Sequence, residues 1–504
     1  MLNAVKTQII EMFETLHQAI EQALSGNLDF IVVKSFVESI NNVVVKESKE
    51  CAEAGKKLLA ALEQYYKDKE ITAIEEAFNS YVALFEDIPT QYKVVFLPYY
   101  KITWDCFESV WEAFKNDPMF VTQITIIPIR YNDKTVYEDY LTPKDIPNIP
   151  YEQYDFENEK PDIVFICQPY DGNNLPKFMS TSIKPHVGML VYIPYYTYMH
   201  NYIPEDEFQE YLQLYTELSG HNAADLIVTS GPGFMNVFQE KSKNGHKMVA
   251  LGSPKIDFLH KSKKIFPRYL DWEERIKGKI TFMLNTNYTS FHTNTFDKYN
   301  NTPAWFDFLI NYVNNNDELA LIWRPHPLIF QFLSYMPDGF VQFIDRLRLG
   351  YFPRIIIDET ESTASAFMYS DAVLTEWSSL VTDAIYLDKP TFSLHMDPYV
   401  YREDTRKYYE PIYDDIIAES KKIAEGAVTF HAVLPSSGAE RHLQPGETIE
   451  DTMYCKPLQA FIEAIKAGED PKADLRKLYI KDHLVNLNGN CGVTILNYIK
   501  ENYL

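Results

Sequence analysis

Short, continuously apolar runs alternate with helical segments through most of this 504-residue chain, and this alternation restricts its fold more than any other feature. One series of runs begins at about residue 92 and a second at about residue 279. A parallel strand is buried on both faces, so it reads as an unbroken apolar run, and the intervening helices cover the sheet. The sequence therefore predicts an α/β protein with two parallel sheets.

The predicted strands of the two series are Tyr92–Pro98, Phe120–Ile129, Asp162–Gln168, Met189–Pro194, Asp225–Thr229 and Met248–Leu251, then Ile280–Leu284, Leu319–Trp323, Ile355–Ile357, Ala372–Thr375 and Thr391–Leu394. Before them, apolar side chains such as Ile9, Phe13 and Leu16 recur at helical spacing. We predict an N-terminal helical region (1–90), two Rossmann-like domains (91–262 and 263–456) and C-terminal helices (457–504). Two facing, doubly wound sheets are the GT-B architecture, a fold analogy that does not by itself give a function.

Charge and cysteine usage exclude several classes of protein. The formal net charge of −24 argues against a nucleic-acid-binding protein, whose binding face is basic. The five cysteines are scattered and form no C-x-x-C pair, which favours a reducing cytosol over a disulfide framework. The N-terminus predicts an amphipathic helix and not a signal peptide, and no run reaches the ~18 apolar residues of a membrane span. We expect a cytoplasmic protein.

The most informative strand end is Leu319-Ala-Leu-Ile-Trp-Arg-Pro-His-Pro-Leu328. Here a buried run ends in Arg324 and His326, each followed by a proline that limits backbone freedom. In open α/β sheets, ligands bind at the carboxyl ends of the strands. A guanidinium beside an imidazole suits a diphosphate, and we interpret the pair as two adjacent cations. The alternative is a strand end whose arginine pairs with a carboxylate.

A second strand end follows Ala372–Thr375, where Ser378 can cap a helix that begins near Ser379. Free N–H groups and the helix dipole favour phosphate oxygens there, and the two hydroxyls add donors. Asp383 would follow one turn later on the face of Ser379. The alternative is an ordinary serine cap.

Strand ends of the first series complete the predicted cleft. Tyr170 and Asp171 follow one apolar run, and Asp171 could act as a base towards an acceptor hydroxyl or simply form an Asx turn. Gly252 would permit close backbone approach, and Lys255 would add a cation near the hinge.

The second series begins with a run that ends in Asn285 and Thr286, which add small polar side chains to the cleft. Neither the histidine spacing nor any Asp-x-Asp pair at a strand end suggests a metal site. We therefore predict no metal and no cofactor, and expect arginine, histidine and helix N-termini to meet the phosphate charge.

Together these segments resemble the CDP-glycerol glycerophosphotransferase family, whose members make teichoic-acid-like and capsule-like glycerol-phosphate polymers. The motifs that carry the resemblance are Arg324-Pro-His-Pro327, Ser370-Asp-Ala372, Ser378-Ser379, Asp383, Asp388-Lys-Pro390 and Leu251-Gly-Ser-Pro254. The resemblance implies that the second domain binds the nucleotide donor and the first binds the acceptor. An acceptor hydroxyl would attack the glycerol-linked phosphorus of CDP-glycerol and release CMP.

Carried over to this chain, the resemblance assigns Arg324, His326, Ser378 and Ser379 to the diphosphate. Glu376 stands where the family has an acidic or small polar residue. One departure concerns the base: polymerases of the family have a His-Gly pair in the first domain, and here the strand end reads Gln168-Pro-Tyr-Asp-Gly172. Either Asp171 takes that role, or the acceptor chemistry differs, or activity is lost.

Three hypotheses remain at this point. The leading one is a transferase that moves a glycerol-phosphate-type group from CDP-glycerol to a glycan or polyol hydroxyl. The second is a GT-B glycosyltransferase that uses a UDP- or CMP-linked sugar, and the third is a non-catalytic scaffold protein of surface-polymer assembly. Peripheral association with the inner face of the membrane and formation of a homo-oligomer are left open.

Overall fold

The computed structural model describes residues 1–99, 101–131, 135–137, 148–198, 208–286, 302–331, 333, 338–375, 378–396, 430–434 and 455–504. These residues form two six-stranded sheets and a two-stranded hairpin, with helices between the strands and at both ends of the chain. All strand pairings in the two large sheets are parallel. The predicted α/β class with two doubly wound sheets is therefore confirmed.

The N-terminal region is helical, as predicted, and consists of α1 (Asn3–Leu24), α2 (Phe30–Val44), α3 (Lys49–Asp68) and α4 (Thr72–Glu86). The predicted stripe of α1 is buried and contributes Ile9, Phe13 and Leu16 to a core of its own. Side-chain caps begin two of these helices: Asp29 accepts a hydrogen bond from the N–H of Ile31, and Ser48 accepts one from that of Cys51.

The first lobe is built on a sheet with strand order β2-β1-β5-β6-β7-β8. Its strands and the inserted hairpin β3–β4 are β1 (Tyr92–Leu97), β2 (Phe120–Ile124), β3 (Ile129–Tyr131), β4 (Thr135–Tyr137), β5 (Ile163–Ile166), β6 (Met189–Tyr192), β7 (Leu226–Thr229) and β8 (Met248–Ala250). The central strands are buried along their whole length, which explains their unbroken apolar sequences.

The helices of the first lobe are α5 (Glu108–Lys115), α6 (Phe156–Glu159), α7 (Ser180–Ile183), α8 (Phe208–Thr216), α9 (Ser219–Ala223) and α10 (Pro232–Phe238). A 3-10 helix, Lys101–Cys106, follows β1. The sequence predicts one helix from Trp104 to Phe114 here, whereas the structure has this 3-10 turn and then α5. Helices α11 (Pro254–Ser262) and α12 (Leu270–Ile276) connect the two lobes.

The second lobe has the strand order β11-β10-β9-β12-β13-β14. Its strands are β9 (Ile280–Thr286), β10 (Leu319–Pro325), β11 (Ile355–Ile357), β12 (Ala372–Thr375), β13 (Thr391–Met396) and β14 (Phe430–Leu434), and its helices are α13 (Thr302–Asn314), α14 (Leu328–Gln331), α15 (Asp338–Arg348), α16 (Ala364–Tyr369) and α17 (Leu380–Tyr386). Numbered along the chain, this order is 3-2-1-4-5-6, as in Rossmann folds.

The last helices, α18 (Cys455–Lys466), α19 (Ala473–His483) and α20 (Cys491–Tyr503), complete both lobes. Leu458 and Ile462 of α18 belong to the core of the second lobe. Ile495 and Ile499 of α20 belong to the core of the first lobe, to which the chain returns at its end. The domain boundaries at residues 90, 262 and 456 stay predictions. No described helix combines the length and apolar character needed to cross a bilayer.

Candidate functional site

The carboxyl ends of β9, β10 and β12 meet where the strand order of the second sheet reverses. Connections leave β9 and β12 in opposite directions there, which opens a crevice at this edge. In the register of the sheet, Asn285 lies beside Arg324 on one side and beside Thr375 on the other. The structure therefore brings together three of the strand ends that the sequence singles out.

Asn285 and Thr286 hold this edge together. The amide of Asn285 donates to the carbonyl of Arg324 at 3.1 Å. The Thr286 hydroxyl accepts from the indole N–H of Trp323 at 3.1 Å, and its carbonyl accepts from the backbone N–H of His326 at 2.9 Å. Both side chains are buried and position the neighbouring strand, and their predicted contact with a ligand stays a prediction.

The guanidinium of Arg324 binds groups of its own lobe. Its Nη1 donates to the Asp358 carboxylate at 2.6 Å and to the Ser362 carbonyl at 3.0 Å, and only 4% of the residue is exposed. Asp358 in turn accepts from the N–H of Thr360 at 2.9 Å. The alternative reading, an arginine paired with a carboxylate, is correct, except that the pair is buried. The charge of Arg324 is therefore shared with Asp358 before any ligand arrives.

His326 is half-buried just beyond β10. Burial lowers the pKa of its imidazole to about 4, because removal from water disfavours the charged ring. The imidazole is therefore neutral at pH 7 without a ligand, and the pairing of two cations on a bound diphosphate stays a prediction. A neutral imidazole has one N–H donor and one acceptor nitrogen.

The Ser378 hydroxyl accepts from the N–H of Leu380, the first residue of α17, at 3.2 Å. The N-cap residue of the helix is Ser379 and not the predicted Ser378, and the Ser379 side chain makes no capping hydrogen bond. The helix begins at Leu380, one residue later than expected. Ser378 and Ser379 are both partly exposed, so their hydroxyls can reach solvent at this edge. Glu376 lies outside the described residues.

Lys255 and Asp383 pair with each other. The Lys255 Nζ lies 2.9 Å from the Asp383 carboxylate, with side-chain exposures of 7% and 0%. Burial would lower the pKa of Lys255, but the carboxylates of Asp383 and Asp105 outweigh it and raise that pKa. Lys255 and Asp383 thus form a buried ion pair between α11 and α17, and their predicted contact with a ligand stays a prediction.

Three predicted residues of the first lobe have local roles. Asp171 caps α7, since its carboxylate accepts from the N–H and the hydroxyl of Ser180, both at 2.8 Å. Gly252 has a φ of +98°, and a Cβ at this position would lie 3.0 Å from the Val485 carbonyl oxygen. The backbone that approaches Gly252 closely is therefore that of the C-terminal segment. Tyr170 is half-buried, and burial raises the pKa of its phenol.

Asp105, in the 3-10 helix after β1, was missed by the sequence reasoning. It is partly buried and lies within electrostatic range of Lys255, Asp383 and Arg324, that is, of groups on both lobes. Burial raises the pKa of its carboxyl to about 6, against the opposing effect of Lys255. Asp105 lies eight residues after the end of β1, within the 3-10 helix, so the search for polar residues directly after strands did not reach it.

A Rossmann-like lobe with polar strand ends, facing a second parallel α/β lobe across a shared ionic cluster, defines a GT-B-like protein. Residues 205–420 match the family model of CDP-Glycerol:Poly(glycerophosphate) glycerophosphotransferase. This match confirms the resemblance seen in the motifs.

The comparison with curated protein sequences gives no match. Among solved structures, the chain is similar to a putative UDP-N-acetylglucosamine 2-epimerase from Listeria monocytogenes (12% identity, TM-score 0.48, covering 82% of this chain and 97% of that chain). It is also similar to MnaA of S. aureus in a co-structure with UDP (13%, 0.48, 81% and 96%) and to the wall teichoic acid polymerase TagF (12%, 0.48, 89% and 97%).

Proposed function

We propose that the protein is a transferase that moves a glycerol-phosphate group from CDP-glycerol to a hydroxyl of a glycan or polyol acceptor. The observation that carries this proposal is the meeting of family motifs at one sheet edge: the Arg324-Pro-His326 strand end and the Ser378-Ser379 helix start flank the switch point, within the region that matches the family. The acceptor oxygen bonds to the glycerol-linked phosphorus, the bond from that phosphorus to the CMP oxygen breaks, and CMP leaves.

The donor site would lie at the carboxyl edge of the second sheet. The hydroxyls of Ser378 and Ser379 and the imidazole of His326 would donate to the diphosphate, and the Arg324–Asp358 pair would hold the strand beneath it. A bound diphosphate would favour the protonated imidazole, so His326 would gain charge on binding. Fixed donors aimed at the phosphoryl group supply most of the catalysis in such transfers, and we propose a metal-independent reaction here.

The test is release of CMP from CDP-glycerol in the presence of a glycerol-phosphate oligomer, followed by chromatography. His326→Ala should lower kcat/KM about 100-fold, as loss of one fixed donor to a transition state does. His246→Ala is the matched control, since His246 is exposed in the first lobe, and it should leave the rate unchanged.

The same donor panel separates the competing functions. Release of UDP or CMP from a sugar nucleotide, with CDP-glycerol inert, would replace the proposal by the glycosyltransferase hypothesis. Tight CDP binding without turnover of any donor would instead favour the scaffold hypothesis. The predictions of a cytoplasmic location, of docking at the inner membrane face and of a homo-oligomer stay predictions, and cell fractionation and light scattering would check them.

A further inference from the structure

Three of the described carboxylates that the sequence or the structure places near strand ends bind partners within the protein. Asp171 caps α7, Asp358 binds Arg324, and Asp383 is paired with Lys255. Asp105 differs, because among the residues whose side chains the structure describes none donates a hydrogen bond to its carboxylate or forms an ion pair with it. A carboxylate without a donor among these side chains is unusual beside a buried ion pair, and its oxygens could accept a hydrogen bond from a substrate hydroxyl.

The backbone holds Asp105 in a fixed place. The hydroxyl of Thr103 accepts from the N–H of Tyr99 at 3.0 Å and donates to its carbonyl at 2.5 Å, and the Cys106 thiol lies 2.9 Å from the carbonyl of Thr103. Thr103 and Cys106 are buried. These contacts fix the 3-10 turn on both sides of Asp105, as a catalytic group requires of its supporting shell.

We propose that Asp105 is the general base of the transfer reaction and accepts the proton of the acceptor hydroxyl as its oxygen attacks the phosphorus. The inference rests on the proposed function. The proton moves from the acceptor oxygen to the Asp105 carboxylate, the new phosphorus–oxygen bond forms, and the electron pair of the broken bond leaves with CMP. Asp105 thus takes the role that the sequence offered to Asp171.

The surroundings of Asp105 tune it for this role. The charged groups that face it are Glu108 of α5, Lys255 of α11, Asp383 of α17 and Arg324 of β10. Lys255 and Arg324 favour its ionised form, while burial and the two carboxylates oppose it. The resulting pKa of about 6 leaves the carboxylate mostly ionised at pH 7 yet basic enough to take a proton.

The experiment compares Asp105→Asn with Asp155→Asn, a control in which a helix-capping aspartate of the same lobe is changed. We measure CMP release against pH and, separately, CDP binding by calorimetry. We expect Asp105→Asn to have a kcat about 100- to 10,000-fold lower than that of the wild type. The fall in rate below about pH 6, the acid limb of the pH–rate profile, should disappear, while the Kd for CDP should stay within about 2-fold of the wild-type value. Asp155→Asn should keep both the rate and the limb.

A structural role alone would not produce chemical rescue. We therefore expect added formate to restore part of the turnover of Asp105→Ala, and unchanged CDP binding to show that the variant is folded. An active wild type with an active Asp105→Asn, or an acid limb lost in Asp171→Asn and kept in Asp105→Asn, would overturn the assignment of the base. A wild type inert towards CDP-glycerol would refute the proposed function itself.

Discussion

The buried pair of Lys255 and Asp383 should stabilise the junction of α11 and α17 by a measurable amount. At 2.9 Å and an effective dielectric constant of about 20, Coulomb attraction is 332/(20 × 2.9), or about 6 kcal/mol, before the cost of desolvation is subtracted. Lys255→Met keeps most of the side-chain volume but leaves a carboxylate with no exposure at all. Breaking such a pair costs about 3–5 kcal/mol, and we expect that loss at pH 7.5.

The assay is equilibrium unfolding in urea, combined with hydrogen exchange of the α11 and α17 amides, because a two-lobed chain need not unfold in one step. The matched control is Lys261→Met in the same helix, whose partner Glu108 lies at 2.6 Å but whose side chain is 53% exposed. It should cost about 1 kcal/mol at most.

Two further outcomes bear on the same pair. The double variant Lys255→Met/Asp383→Leu should recover most of the lost stability, since it removes both buried charges. The loss in Lys255→Met should shrink as the pH falls, because Asp383 can take up a proton once its partner is gone. The reasoning is refuted if Lys255→Met is no more destabilising than Lys261→Met.

Two further predictions concern titration. The pKa of Asp105 is raised from 3.8 to about 6, so its contribution to stability is present below about pH 4 and is lost as the pH rises through 6. The free energy of unfolding of Asp105→Asn should therefore equal that of the wild type near pH 4 and exceed it by about 3 kcal/mol above pH 7, as measured by thermal or urea unfolding. An equal difference in stability at both pH values would contradict this prediction. The ring of His326, with a pKa of about 4, should show no titration between pH 8 and 5.5 in histidine-labelled NMR spectra assigned with His326→Gln, and a midpoint near 6.5 would argue against its burial.

The fold could be predicted because buried parallel strands leave a plain mark on the sequence. Runs such as Ile163–Ile166 are apolar at every position, since both faces of the strand are covered. The edge strand Phe430–Leu434 was missed because it contains a histidine and pairs on one side only, with β13. The hairpin of Ile129–Tyr131 and Thr135–Tyr137 is too short to show an alternating pattern.

The sequence predicts where the candidate site lies, but not which side chains pair with each other there. Strand ends identify which side chains reach the edge, and the structure places His326 and Ser378 there. The partner of Arg324 lies 34 positions along the chain and that of Lys255 still further, and residue types alone do not reveal such contacts. Asp105 was hidden because helical periodicity from Trp104 onward does not distinguish a 3-10 turn from the start of an α-helix.

The return of α20 to the first lobe has a consequence for biosynthesis. Ile495 and Ile499 pack with strands that begin near residue 92, and Lys500 binds Asp117 at 2.8 Å across 383 positions of sequence. The first lobe therefore emerges from the ribosome with a gap in its core, which stays open while the whole second lobe is translated. Contacts this distant in sequence form late, and a partly exposed core in the meantime is a target for chaperones.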